Sequence, residues 1–144
     1  MPEQSYAQHA KFVPLYHYVT GPIILLSFVG SLVNLWQSFG DHQRLYSASL
    51  ITALTAAVLL LFFFARIFAL GAQDRAIRAE ENLRHFVLTG KLLDPRLSIK
   101  QIVGLRFASD AEFAELARKA AEEGMPQDTI KRSVKSWRAD HDRV

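Results

Sequence analysis

Two uncharged apolar stretches lie almost back to back in the first half of this chain. Phe12 to Gly40 contains no Lys, Arg, Asp or Glu, and neither does Leu45 to Ala65. The second stretch spans about 32 Å as an α-helix at 1.5 Å per residue, close to a bilayer hydrocarbon core of roughly 30 Å. A chain of 144 residues that is 50% hydrophobic would by default be one globular domain. Here the apolar residues are segregated instead. All but two of the 17 Lys and Arg, and all but two of the 14 Asp and Glu, follow Ala65. The pattern predicts an all-α membrane protein: a two-helix transmembrane hairpin, its second span extended into a cytoplasmic neck helix, then a small three-helix C-terminal module.

Boundaries follow from the flanks. A cytoplasmic tail occupies 1–17 and the hairpin 18–69, with spans at about 18–39 and 46–69 and a short external loop at 40–45. The neck helix and a turn cover 70–97, and the module covers 98–144. Phe12, Tyr16 and Tyr18 stand at one end of the hairpin and Trp36, Phe39 and Tyr46 at the other, where amphipathic rings favour the headgroup region. Gly21-Pro22 falls in the first turn of the first span, where a missing N–H costs little. No small-x-small cleavage site follows the first span, so both spans are expected to stay in the mature protein. The loop carries only Arg44, whereas Arg66, Arg75, Arg78 and Arg84 follow the second span. Positive charge accumulates on the cytoplasmic side, which puts both termini there.

Folding the hairpin sets Ser27, Gly30, Ser31 and Asn34 at the level of Ser49, Thr52, Ala53, Ala56 and Ala57. Small residues let two backbones approach closely in lipid, so these positions are the expected packing face. Asn34 needs a hydrogen-bond partner in that setting, and Ser49 or Thr52 is the expected one. The competing role is an Asn that fixes an oligomer or lines an ion path. Arg66 is the one formal charge within the apolar run. Lying near the cytoplasmic end, it is expected to snorkel to lipid headgroups.

Beyond Ala65 strong helix formers run to about Thr89, and Gly90 supplies a stop. Asp74–Arg78 and Glu80–Arg84 have i, i+4 spacing. Leu70, Ile77, Leu83, Phe86 and Val87 form a narrow apolar edge that Arg84 interrupts, so the edge is expected to pack on the C-terminal helices rather than in a coiled coil. Ser98 with Gln101 and Ser109 with Glu112 fit the capping box. Gly124 closes the helix over 110–123, and Pro126 opens one over 126–140. The expected apolar faces are Ile99, Ile102, Val103 and Leu105; Phe113, Leu116, Ala117 and Ala120; and Ile130, Val134 and Trp137. A module this small buries too little surface to stand alone and should lean on the neck, the membrane or a partner.

Without cysteine there is no disulfide or thiolate chemistry. His9, His17, His42, His85 and His141 are scattered, with no ligand spacing. Asp140-His141-Asp142 point to different faces if helical. No phosphate loop, Ser-centred elbow or paired-carboxylate motif is present, so neither a cofactor nor a catalytic residue is expected. Lys131, Lys135 and Arg138 share one face of the last helix, as a candidate surface for a partner or an anionic headgroup layer. The helix pair 110–140 also has a helix-turn-helix outline, but Glu122, Glu123 and Asp128 stand close by, and nucleic acid ranks last among the candidates.

Gln4–Phe12 before the first span, Gln73–Arg78 after the second, Gln101–Asp110 and Ile130–Asp140 together resemble an uncharacterised bacterial family. Its members are small two-span inner-membrane proteins classed as a domain of unknown function. The resemblance covers nearly the whole chain and implies a bacterial cytoplasmic-membrane location. It brings no activity, cofactor or catalytic residue. The expected function is a non-enzymatic membrane anchor or accessory subunit that offers its module to a protein partner or a further copy. The alternatives are a membrane-tethered nucleic-acid-binding regulator, and a lipid-modifying enzyme using His17 and Arg66.

Overall fold

The computed structural model describes Ser5, Tyr6 and residues 12–140. Positions 1–4, 7–11 and 141–144, with His9, His141 and Asp142 among them, lie outside the described residues. A π-helical turn, Leu15–Thr20, runs into α1 (Gly21–Gln37). Then come α2 (His42–Thr89), α3 (Ile99–Leu105), α4 (Asp110–Glu123) and α5 (Gln127–Ser133). Among the described residues the fold is all-helical, with one isolated antiparallel bridge between Ala108 and Trp137. The chain divides into two compact units, one of Phe12–Ala69 and one built from Leu70 onward that also carries the described tail residues.

In the first unit α1 and the start of α2 form an apolar hairpin. Leu15–Gln37 and His42–Thr89 are both long and apolar enough to cross a membrane. The outward side chains are uncovered: Leu26 is 70% exposed, and Leu54 and Leu61 are each 65% exposed. These are not the core helices of a globular domain, whose apolar faces are buried. The helical path starts upstream of the expected Tyr18. Pro22 has no N–H, and its ring crowds the carbonyl four residues back. The turn before it widens accordingly, with the Gly21 N–H reaching the Tyr16 carbonyl. Thr20 Oγ1 also donates to the Leu15 carbonyl at 3.0 Å.

The covered positions of the hairpin recur at intervals of three and four. On α1 they are Ile24, Phe28, Ser31, Leu35 and Ser38, and on α2 they are Leu45, Ala48, Thr52, Thr55, Leu59 and Phe62. This is the seam of two helices packed side by side.

The second unit is organised around Ile77 of α2, Leu93 and Leu97 of the connecting turn, and Ile102, Leu105, Phe113 and Ile130 of the short helices. Gly90, at φ 73°, ends α2 in the left-handed conformation open to glycine. Ser98 and Gln101 complete a capping box at α3. Gly104 lets α3 approach α5, since a Cβ there would lie 3.2 Å from the Gln127 carbonyl oxygen.

The last helix is half the expected length. It ends at Ser133, and Val134 turns extended. The Glu112 carboxylate accepts from the Lys135 N–H at 3.1 Å and the Ser136 N–H at 3.0 Å. In a continued helix those two groups would bond to the carbonyls of Lys131 and Arg132. Instead the chain folds back: the Ser109 N–H bonds to the Ser136 carbonyl at 3.1 Å, and the Arg138 N–H to the Phe107 carbonyl at 2.8 Å. Ile130 and Val134 are buried as expected, but Trp137 reaches Phe107 from extended chain (ring centroids 4.9 Å apart).

Candidate functional site

The hairpin seam brings together Ser31 and Thr52, both expected there, and adds Thr55, which was not among the expected positions. Ser31 is 5% exposed, and its Oγ lies 2.9 Å from Thr55 Oγ1. Thr52 Oγ1 is within donating distance of the Ser31 carbonyl at 3.1 Å and of its own helix at the Ala48 carbonyl, 2.9 Å. Ala56 is half-buried on the same face. The other expected positions turn away. Ser27, Gly30, Asn34, Ser49, Ala53 and Ala57 are exposed, and a Cβ on Gly30 would meet nothing within 4 Å. Asn34 does not pair with Ser49 or Thr52. Only its main-chain carbonyl accepts from Ser38 Oγ, at 2.8 Å, and Ser49 Oγ bonds within its own helix to the Tyr46 carbonyl. The packing face is therefore rotated by one residue on α1, with Phe28 and Leu35 standing where Ser27 and Asn34 were expected. Large apolar residues fill the seam, and hydroxyls stitch its middle.

At the other end of the hairpin Tyr16 stacks on Phe62, ring centroids 4.2 Å apart, and its hydroxyl donates to the Phe62 carbonyl. Its position at the edge of the apolar run suggested an interfacial ring, yet here it packs on the partner helix. Arg66 is half-buried and makes no hydrogen bond or ion pair among the described residues. His17 turns its Nδ1 onto the Val13 backbone, 3.0 Å from the carbonyl oxygen.

In the second unit the polar centre is Arg84. Its side chain is 10% exposed and pairs with Glu81 at 3.0 Å and Asp110 at 2.7 Å. It donates to the Ala108 carbonyl at 2.7 Å and lies 4.2 Å from the Phe113 ring centroid. The expected Glu80–Arg84 pair is replaced by Glu81, which faces the short helices and is 5% exposed. Arg138 approaches the same carboxylate at 3.7 Å. Glu80, Glu81, Arg84, Asp110 and Arg138 line an open cavity of about 320 Å³. Across it Arg84 pairs with Glu81 and Asp110, and Arg138 with Glu81, which suits cohesion better than capture of an ionic ligand.

A broader groove of about 620 Å³ runs between α4 and the end of α5, lined by residues that include Glu112, Glu115, Lys119, Arg132 and Lys135 over Leu116. Burial acts to raise the Glu112 carboxyl, but the N–H groups of Ser136, Lys135 and Ser109 outweigh it and hold it below its ordinary range. Tyr6 packs against the exposed side of α5. Its hydroxyl donates to Asp128 and accepts from Arg132 Nη2 at 2.9 Å, with the guanidinium 4.7 Å from the ring centroid. The hydrogen bond to Asp128 raises the Tyr6 phenol. Nothing in the local sequence announces this contact, because Tyr6 and Asp128 are 122 positions apart.

With the hairpin and the helical unit described, the whole chain, residues 1–144, matches a family of unknown function. The chain belongs to the DUF6526 family. No curated protein and no solved structure matches it. The family assignment carries no residue roles, so the chemistry rests on the side chains themselves.

The basic face expected from the last helix does not form as a face. Lys131 lies on α5, 5.8 Å from the Phe107 ring centroid. Lys135 is exposed in the bend after α5, and Arg138 turns to Glu81. A seven-residue α5 likewise lacks the length of the recognition helix that a helix-turn-helix presents. Among the described residues no group of three or more His, Asp or Glu is placed to hold a metal ion.

Proposed function

We propose that the chain is an integral membrane anchor or accessory protein whose hairpin lies in the bilayer and whose helical unit binds protein at the cytoplasmic face. The observation that carries this reading is the uncovered apolar surface of a hairpin whose own seam is already filled. The side chains pointing away from the seam at Leu26, Leu54 and Leu61 are neither packed nor polar, and exposed apolar area on this scale needs lipid or protein around it. Orientation is supported by Arg66, Arg75, Arg78 and Arg84 after the second apolar stretch, against a lone Arg44 in the turn. In that orientation both termini face the cytoplasm, and the sequence resemblance to small two-span bacterial proteins supports an inner-membrane location.

A binding role is supported by the second unit's architecture. Its most buried charged cluster, Arg84 with Glu81 and Asp110, pairs within itself rather than converging on a vacant centre. The groove beside Glu112 offers both signs of charge over an apolar floor, which suits a peptide or protein surface. Two measurements test the reading. Alkaline carbonate washing of membranes should leave the protein in the pellet; release into the supernatant overturns the anchor. Mild-detergent purification of the tagged full chain should recover a stoichiometric protein assembly; a bare monomer overturns the accessory role.

A further inference from the structure

The neck portion of α2, from Leu70 to Thr89, has two faces rather than one. Ile77, Glu81 and Arg84 turn toward the short helices. Ala72, Ala76, Ala79, Leu83 and Phe86 lie on the opposite side, and all are exposed. Leu83 is 63% exposed and Phe86 is 50% exposed, and neither is covered by the rest of the unit. The intervals between these five positions are four, three, four and three, the alternation of a coiled-coil seam. Arg84, which interrupts the apolar edge when the helix is read as a single stripe, belongs to the other face and leaves this one unbroken.

We propose that this outward face is where the neck helices of two copies of the chain pair side by side and in parallel. The choice of a second copy rests on the flanking charges. With Ala72, Ala79 and Phe86 at d and Ala76 and Leu83 at a, Arg75 occupies g and Glu80 occupies the following e position. In a parallel pair those are the two positions that meet across the seam. Arg75 of each copy then faces Glu80 of the other, twice by symmetry. Both residues are exposed, and neither has an ion pair among the described residues. The three alanines let the helices approach closely, and Leu83 and Phe86 supply the apolar burial. A seam this short is weak in free solution, and tethering to a common bilayer supplies the effective concentration. The proposal deepens the anchor reading and rests on it for the parallel orientation.

The chain has no cysteine, so a single introduced thiol reports only its own position. Ala79→Cys in the full-length protein, in membranes, should form a disulfide-linked dimer on mild oxidation. Arg78→Cys, one residue round the helix and off the seam, should stay monomeric. Arg75→Glu or Glu80→Arg added to Ala79→Cys should lower dimer yield several-fold, and the double exchange should restore it. No dimer at Ala79→Cys, equal dimer at both sites, a cross-link to a different protein, or no rescue by the double exchange each overturns the proposal. Carbonate washing of the same samples keeps the two readings apart: a pelleted monomer sinks the pairing alone, and a washed-out protein sinks the anchor.

Discussion

Arg84 Nη2 donates to the carbonyl oxygen of Ala108 at 2.7 Å, so one neck side chain holds the backbone that leads into α4. Its Nη1 lies 3.0 Å from Glu81, whose side chain is 6% exposed. Removing one member of a buried pair leaves the other charge uncompensated, which typically costs about 3 kcal/mol or more. Arg84→Met should therefore free the Ala108–Asp110 segment. Its amides should exchange with solvent far faster in full-length protein in detergent. Asp110→Asn removes only an exposed partner, 68% accessible, and should change stability by no more than about 1 kcal/mol. Similar exchange rates in the two variants would show that Arg84 is not the tie.

Acid should loosen the chain end before the rest of the second unit. The Glu112 carboxyl is held below its ordinary value of 4.5. A depressed folded-state value means the carboxylate contributes stability that is fully present above its ordinary value. That contribution is lost as pH falls through the lower folded one. Amide exchange at Lys135 and Ser136, corrected for intrinsic rates, should rise as pH drops below about 4.5. Glu112→Gln should show fast exchange there already at neutral pH and little further change on acidification. A wild-type profile flat down to pH 3 would remove the carboxylate from this role.

The register of the hairpin can be read from two neighbouring substitutions. Ser31 is buried against Thr55, and the site opposite Gly30 is empty to 4 Å. Ser31→Leu forces a large side chain into the seam and should destabilise the hairpin by about 1–3 kcal/mol. Gly30→Leu should leave hairpin stability unchanged or improve it, because a helical glycine is replaced on an open face. Thermal unfolding in detergent, followed by Trp36 fluorescence, compares them. A larger loss at Gly30 would restore the small-residue face.

Much of the fold is legible in the sequence where polarity contrast or local hydrogen bonding decides. The apolar stretches, the unbroken α2, the Ser98–Gln101 box and the Gly124 stop all have local causes. The hairpin seam does not, because inward and outward positions of these helices are both apolar and the contrast that marks a buried face is gone. Small residues then pointed to Ser27 and Gly30, when Phe28 and Leu35 fill the space. The end of α5 was hidden for another reason. Ser133–Arg138 fits a helix locally, and only a carboxylate more than twenty positions away, Glu112, takes its N–H groups. The neck misled because two apolar faces of one helix, read without a third dimension, merge into a single interrupted stripe.

Between α1 and α2 there are only Ser38–Asp41, and this turn is closed on itself: the Ser38 N–H bonds to the Leu35 carbonyl, the Asp41 N–H to the Ser38 carbonyl, and Asp41 Oδ1 accepts from Gln43 and Arg44. With the hairpin in a bilayer, that turn is all the chain offers to the far side. On the proposed topology, a reporter protein fused at Gly40 would probe the compartment opposite the helical unit.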